Sequence, residues 1–148
     1  MKIPTAPLVL GLCGLIPFMW GAATLLSGGL AAWGIENLGP RFVGPFVLLN
    51  YGQIILAFMS GVLWGFATKS DGEQAAINYA LSTLPALWVF FTVGNGPTSS
   101  AIYLVAGFVA LLGLDLTFAR QGLTPSWWMT LRVPLTAIVV ASLSVLVL

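Results

Sequence analysis

The stretch GLDLTFARQGLTPSWWMTLRVPLT, residues 113–136, decides how the rest of this chain folds. Gly122 can adopt the left-handed conformation that ends a helix, and the Thr-Pro pair that follows it is typical of the start of another. Asp115 lies seven residues before this glycine, and Arg132 lies seven residues after the proline. At 1.5 Å per residue, both lie about 10 Å from the turn. The stretch therefore predicts an antiparallel helical hairpin with one acid and one base at the same depth.

The composition of the chain indicates a membrane protein. The 148 residues are 59% hydrophobic and 6% charged, whereas a soluble domain carries about 25% charged residues. The net charge of +1 provides no basic surface for nucleic acid. Because the chain has no histidine and one cysteine, we exclude an intramolecular disulfide and a zinc site of the usual histidine and cysteine type.

Long apolar runs separated by turn residues predict an all-α membrane protein, a bundle of five transmembrane helices in a single domain. The predicted spans are residues 6–26, 43–68, 71–93, 98–121 and 125–148. Pro17 and Pro85 predict kinks in the first and third spans. Ser70 and Glu73 match a capping box at the start of the third span. The longest connection, residues 27–42, has weak periodicity, and a short interfacial helix is one way in which it can fold.

The basic residues predict the orientation of these spans. Four of them fall on the side of the N-terminus and one falls on the other side: Lys2, Lys69, Arg120 and Arg132 against Arg41. Cytoplasmic loops carry an excess of Lys and Arg. We therefore expect a cytoplasmic N-terminus.

A stripe of polar and small residues is the clearest pattern within the second span. Its members recur at three-to-four spacing and are Asn50, Gln53, Ala57, Ser60, Gly61, Trp64 and Thr68. Because lipid penalises Asn50 and Gln53, we expect this face to point inward, where the GxxxG sequence at 61–65 allows close helix approach. Interhelical hydrogen bonding is the favoured role, and a ligand cavity is the alternative. The candidate ligand-binding residues are Asn50, Tyr51, Gln53, Trp64 and Trp88.

The pair of Asp115 and Arg132 has two interpretations. An ionisable residue inside a membrane is often functional, for example in a proton or ion relay. The alternative is an intramembrane salt bridge that ties two adjacent spans together, with Arg132 extending toward the headgroups. We favour the salt bridge because a relay needs a second carboxylate at membrane depth, and the sequence offers none.

No arrangement of residues in the sequence indicates catalysis. The lack of histidine excludes a Ser/His/Asp set, a Cys/His set and haem ligation by histidine, and neither a Walker A sequence nor a dinucleotide-binding fingerprint is present. We therefore expect no enzymatic activity, no cofactor, no metal site and no nucleic-acid partner. The expected partners are the lipid bilayer and other membrane-protein subunits.

Four segments carry a resemblance to a known family. They are PTAPLVLGL at residues 4–12, NYGQIILAF at 50–58, GVLWG at 61–65 and PSWWMTLR at 125–132. They resemble a family of small multi-pass membrane proteins that has bacterial members and a mitochondrial relative called transmembrane protein sixty-nine. The resemblance covers nearly the whole chain and implies a bacterial inner-membrane (cytoplasmic-membrane) protein of about five spans. It implies no activity and no site residue, since the family is one of unknown function.

Two functions are compatible with these observations. The first is a non-enzymatic accessory or assembly subunit of an inner-membrane complex, respiratory or photosynthetic, because the chain combines short loops and helices rich in small residues with no catalytic set. The second is a binder or carrier of a hydrophobic ligand such as a lipid, quinone, pigment or porphyrin.

The charge bias predicts which loops a membrane-impermeant reagent can reach. With Cys13 replaced by alanine, the Asn95→Cys variant should react with an impermeant maleimide in intact cells. The Asp71→Cys variant should react only after the membrane is opened, because its loop lies in the cytoplasm. The opposite labelling pattern would reverse the proposed orientation.

Overall fold

The computed structural model describes residues 2–148, and each regular element in that range is a helix. The helices are α1 (Thr5–Cys13), α2 (Ile16–Leu26), α3 (Gly28–Leu38), α4 (Gly44–Ala67), α5 (Gly72–Thr92), α6 (Pro97–Arg120) and α7 (Trp128–Ser144), with a 3₁₀ turn at Pro40–Phe42. Four segments are long and apolar enough to cross a membrane: Thr5–Leu26, which contains α1 and α2, and then α4, α5 and α6. The chain is therefore an all-α, multi-pass membrane protein.

The ends of the long helices lie close to their predicted positions. Each end of α4, α5 and α6 differs by one residue from the prediction. The last span differs more, because α7 is a 17-residue helix that begins at Trp128 instead of 125. Residues 125–127 form a turn in which the Trp128 amide donates to the Pro125 carbonyl (3.0 Å), so the Thr-Pro pair precedes the helix and does not start it.

The first span is interrupted just before the proline that was expected to kink it. Gly14 and Leu15 form a turn between α1 and α2. Pro17 lacks the amide hydrogen that would bond the Cys13 carbonyl in a continuous helix. The Leu15 amide instead donates to the Leu12 carbonyl (3.1 Å), which tightens the chain at this point.

The capping box predicted at Ser70 and Glu73 is wrong. Helix α5 begins at Gly72 with Asp71 at the N-cap position. The Ser70 hydroxyl donates to the Ala67 carbonyl at the end of α4 (2.6 Å). Ser70 lies one residue too early in the chain to cap α5, and it closes the preceding helix instead.

The long connection between the first two spans folds as helix α3 and the 3₁₀ turn. Ser27 caps α3, since its hydroxyl accepts from the Leu30 amide (3.4 Å). The Trp20 indole donates to the Phe42 carbonyl (2.7 Å) and lies edge-on to the Trp33 ring. These contacts hold the connection against the end of α2.

Helix α4 lies at the centre of the bundle and packs against α2, α5 and α6, while α6 also pairs with α7. Its buried residues recur at three-to-four spacing and include Leu48, Gly52, Leu56, Met59, Leu63 and Ala67. Close packing occurs at Gly107 of α6. A Cβ atom there would lie 2.6 Å from Leu56 Cδ2 and 2.9 Å from Trp88 Cδ1. The core is thus an apolar face of α4 in tight contact with its neighbours.

The prediction that the polar stripe of α4 points inward is wrong. Most of the stripe is exposed: Asn50, Ala57, Gly61, Trp64 and Thr68, whereas Gln53 is half-buried and Ser60 is buried. The apolar face that contains Leu56 and Leu63 fills the interior, and the stripe lies about 100° around the helix from it. A Cβ atom on Gly61 or Gly65 would meet nothing within 4 Å. The two glycines of the GxxxG sequence therefore contact no neighbouring helix within residues 2–148, although Leu63 between them lies in the core and the Trp64 ring packs against Tyr79 of α5.

The close packing at Gly107 predicts a loss of stability on adding one methyl group. Gly107→Ala should lower the free energy of unfolding by about 1–3 kcal/mol, because the new Cβ overlaps the Leu56 and Trp88 side chains. Thermal unfolding in a mild detergent measures the change. Gly113→Ala is the matched control on the same helix, since its Cβ would meet nothing within 4 Å. Equal stability of the two variants would contradict the packing described.

Candidate functional site

Asp115 and Arg132 form a buried ion pair inside the α6–α7 hairpin. Arg132 Nε donates to Asp115 Oδ2 at 2.8 Å, and the two side chains are 8% and 0% exposed. The Trp128 indole Nε1 donates to the other carboxylate oxygen, Oδ1, at 2.9 Å. Each oxygen of this carboxylate therefore has a charged or polar donor, which is what a buried carboxylate requires.

The turn between α6 and α7 positions this pair. Gly122 has φ +72°. Its amide and that of Leu123 donate back to the last turn of α6 (3.0 and 3.1 Å), in the pattern of a Schellman motif. Because α7 then begins at Trp128, Trp128 and Arg132 lie one helical turn apart on the face that meets Asp115.

Two polar groups on α7 have no partner within the described residues. They are Nη2 of Arg132 and the hydroxyl of Thr136, both buried. The residues are 7% and 4% exposed. Buried polar groups in folded proteins nearly always have a hydrogen-bond partner, so these two are exceptions that need an explanation.

A cavity of about 340 Å³ lies beside these groups. Its walls come from α1, α2, α4, α6 and α7 and are mostly apolar. The side chains with polar atoms in the lining are Tyr51, Trp128, Arg132 and Thr136. The cavity is therefore an apolar space with a few polar groups in its wall, which is the usual composition of a small-molecule site.

A larger cavity, about 660 Å³, lies between α5 and α6 beside Pro85. Trp88 lines it, but the indole of Trp88 donates to the Tyr103 carbonyl (2.7 Å). Thr92 also lines it, and its hydroxyl donates to the Trp88 carbonyl (2.5 Å). The polar side chains of this cavity thus already donate hydrogen bonds within the protein. The cavity therefore offers mainly apolar contacts to a ligand.

The structure does not bring the five predicted ligand-binding residues together. Tyr51 lines the smaller cavity and Trp88 lines the larger one. Asn50 and Trp64 are exposed on the outer side of α4, with Gln53 half-buried beside them. A single site built from all five is therefore not present in this arrangement.

Ser60 forms the kind of interhelical hydrogen bond that was the favoured role of the polar stripe, although its partner was not predicted, and a second polar contact between helices was not predicted at all. The Ser60 hydroxyl accepts from the Ala86 amide (2.8 Å), next to the proline that interrupts the hydrogen bonds of α5. Asn78 and Gln121 exchange amide hydrogen bonds (2.8 and 3.2 Å) between α5 and the end of α6. Pro85 was the available signal for the first contact, because a proline disturbs the backbone hydrogen bonds of its helix and polar groups in lipid then find partners on a neighbouring helix. No sequence signal linked Asn78 to Gln121.

Comparisons with known proteins match this chain to a family of unknown function and to a transmembrane protein. Residues 3–148 match the family described as "Protein of unknown function (DUF3429)". Transmembrane protein 69 of Xenopus tropicalis is 35% identical over 144 residues, which is 95% of this chain and 53% of that relative. The chain spans about half the length of this curated relative. The resemblance seen in the four sequence segments is confirmed, and no solved structure matches the chain.

Removal of one partner of the ion pair should cost more stability than removal of both. Asp115→Leu or Arg132→Leu leaves a buried charge unpaired, at a cost of about 3–5 kcal/mol, whereas the double variant leaves none. The exchanged pair, Asp115→Arg with Arg132→Asp, should recover part of the loss. Unfolding in detergent measures all four variants. Additive losses in the double variant would contradict the coupling, and normal folding with loss of transport would favour the relay.

The hydrogen bond from the Trp128 indole to Asp115 can be tested with the neighbouring Trp127 as a matched control. Trp128→Phe should lower the free energy of unfolding by about 1.5–3 kcal/mol, because a hydrogen bond to a charged group is lost. Trp127→Phe changes the neighbouring ring, which does not bond Asp115, and should remain close to wild type.

Proposed function

This chain belongs to the DUF3429 family of proteins of unknown function, and on that premise we propose that it is a non-enzymatic accessory or assembly subunit of a bacterial inner-membrane complex, respiratory or photosynthetic. The proposed contact is an outer surface of α4, here called the docking face. It consists of Asn50, Ile54, Ala57, Gly61, Trp64 and Thr68, all exposed. The proposed occupant is a transmembrane helix of a different subunit.

The main support for this proposal is a polar side chain that faces lipid. Helix α4 has 24 residues, about 36 Å, and Asn50 lies about 9 Å from its start. If a hydrocarbon core of about 30 Å is centred on the helix, this depth falls inside the core. Asn50 is exposed, and no side-chain hydrogen bond within residues 2–148 involves it or its neighbour Gln53. Lipid tails provide neither donors nor acceptors. A polar group on the helix of another subunit would provide both.

The spacing and size of the residues on the docking face also favour a helix as the occupant. Positions 50, 54, 57, 61, 64 and 68 alternate between intervals of four and three, which is the spacing of residues at the seam between two packed helices. Gly61 and Gly65 have open space where a Cβ would stand. Small residues four apart allow the backbones of two transmembrane helices to approach closely.

The proposal includes five spans and a cytoplasmic N-terminus. After α7 ends, the backbone continues in hydrogen-bonded turns as far as Leu148, whose amide donates to the Ser144 carbonyl (3.3 Å). The hydrogen-bonded segment 128–148 is long enough to cross a bilayer.

Lys69 Nζ donates to the Leu123 carbonyl (3.2 Å), so the 68–71 and 121–127 loops lie at the same end of the bundle. That end carries most of the basic residues, which favours its placement in the cytoplasm.

Two outward-facing glycines provide a matched test of the docking face. Gly61→Leu adds bulk to that face, while Gly113→Leu adds the same bulk to α6, again where a Cβ meets nothing within 4 Å. Each protein is extracted from its own membrane in digitonin and analysed by native electrophoresis and quantitative mass spectrometry. Wild type and Gly113→Leu should migrate with the same partner subunits, and Gly61→Leu should lose them.

Three outcomes would contradict the proposal. The wild-type protein could migrate alone, it could associate only with copies of itself, or Gly61→Leu could retain its partners as well as Gly113→Leu does. Unfolding temperatures of both leucine variants close to that of wild type ensure that the comparison concerns association and not folding.

A further inference from the structure

The guanidinium of Arg132 has more N–H donors than its contact with Asp115 uses. It offers N–H groups on Nε, Nη1 and Nη2, and Nε alone bonds Asp115. Nη2 is buried without an acceptor within the described residues. Nη2 forms no hydrogen bond with the Asp115 carboxylate, whose second oxygen accepts from Trp128. A buried N–H in a membrane protein has no bulk water to bond, so an acceptor from another molecule is expected at this place.

Thr136 has an unused hydroxyl in the same region. Threonines within a helix commonly donate to a carbonyl three or four residues earlier. Thr24, Thr92 and Thr117 do so, at 2.8, 2.5 and 2.9 Å. The Thr136 hydroxyl instead has no partner within residues 2–148, although it is buried. It lies one helical turn beyond Arg132, and its oxygen has almost no accessible surface.

Arg132 and Thr136 line the 340 Å³ cavity, whose remaining walls are mostly apolar. Tyr51 is on the α4 side of this cavity, and a Cβ atom built on Gly14 would lie 3.8 Å from its hydroxyl. Gly11 and Gly14 are also in the lining, and a Cβ atom on Gly11 would lie 3.1 Å from Leu135 Cδ1 on α7. The cavity therefore suits a mostly apolar molecule with a small polar group at the α7 wall.

The charges around the cavity indicate that this polar group is neutral. Asp115 already balances the positive charge of Arg132. A carboxylate or phosphate in the cavity would add a net negative charge to a buried, low-dielectric region, which is costly. A cation is disfavoured by the guanidinium itself. A carbonyl oxygen accepts from N–H and O–H groups and adds no net charge.

We propose that this cavity binds an apolar molecule with a neutral carbonyl oxygen, and that Arg132 Nη2 and the Thr136 hydroxyl, which have almost no accessible surface without a ligand, turn toward that oxygen when the molecule binds. Two kinds of membrane molecule have this chemistry: a quinone with a hydrocarbon tail, and the acyl ester of a lipid. The site shares no residue with the docking face of α4, so the two proposals are independent. Arg132 thus has two roles, one toward Asp115 and one toward the ligand.

Titration with a defined probe tests the site. The full chain is placed in nanodiscs of ether-linked phospholipids, which lack ester carbonyls, and decyl-benzoquinone is added while tryptophan fluorescence is followed. Decylbenzene, which lacks the carbonyl oxygens, and decanoate, which carries a charge, are the comparison probes. The quinone should bind at least tenfold more tightly than either. Native mass spectrometry of the protein from its own membrane forms a second arm that detects a bound ester lipid.

Substitutions in the cavity wall connect the binding to the proposed groups. Thr136→Val preserves the shape of the side chain and should weaken quinone binding about five- to tenfold, the loss expected for one hydrogen bond. Arg132→Lys retains the charge opposite Asp115 but removes Nη2, and it should weaken binding by a similar factor. Thr117→Val is the control, because Thr117 is exposed on α6 and already bonds its own helix.

Each outcome of these experiments either supports the proposal or overturns it. Preferential quinone binding that Thr136→Val weakens supports a quinone, and a co-purified ester lipid that Thr136→Val releases supports a lipid. Equal binding of decylbenzene, tighter binding of decanoate, or an unchanged affinity in Thr136→Val would overturn it. So would the absence of both quinone binding and bound ester lipid. Unfolding temperatures of the valine variants near that of wild type separate loss of binding from loss of folding.

Discussion

The buried carboxylate of Asp115 is the constraint on which the α6–α7 hairpin depends. A carboxylate this deep in an apolar bundle needs donors on both oxygens, and Arg132 and Trp128 provide them from consecutive turns of α7. The register of α7 against α6 is therefore specified by the ion pair and the indole hydrogen bond as well as by packing, since a shift of α7 along its axis would separate Arg132 from Asp115. The Schellman turn at Gly122 sets the starting point from which that register follows.

Lipid explains which parts of this architecture could be predicted from the sequence. A spanning helix must satisfy its backbone internally and remain apolar along its length, so the ends of α4, α5 and α6 could be read to within one residue. The pairing of Asp115 with Arg132 could also be anticipated, because the turn between them is short and their distances from it are equal. The start of α7 and the cap of α5 were mistaken, since turn residues can close one helix or open the next.

Orientation around a helix axis was the part that sequence reasoning could not supply. In water, burial of apolar residues decides which face of a helix turns inward, but lipid is as apolar as the bundle interior and removes that guide. The polar stripe of α4 was therefore placed inside, whereas Leu56 and Leu63 occupy the interior and Asn50 faces outward. Likewise the Ser60 contact with the Ala86 amide depends on a crossing of two helices that no local pattern specifies.

The difference between satisfied and unsatisfied polar groups separates structural residues from candidate contact residues in this protein. Asp115, Ser60 and Asn78 are buried and hydrogen-bonded to other parts of the bundle, so their roles are explained by the fold. Asn50 on the outer face of α4 lacks a side-chain hydrogen-bond partner within residues 2–148, as do Arg132 Nη2 and the Thr136 hydroxyl beside the cavity. Because lipid tails form no hydrogen bonds, these are the places where we propose that another molecule binds. One lies where a helix can dock and the other where a small ligand fits, so the two functions suggested by the composition are compatible within one bundle.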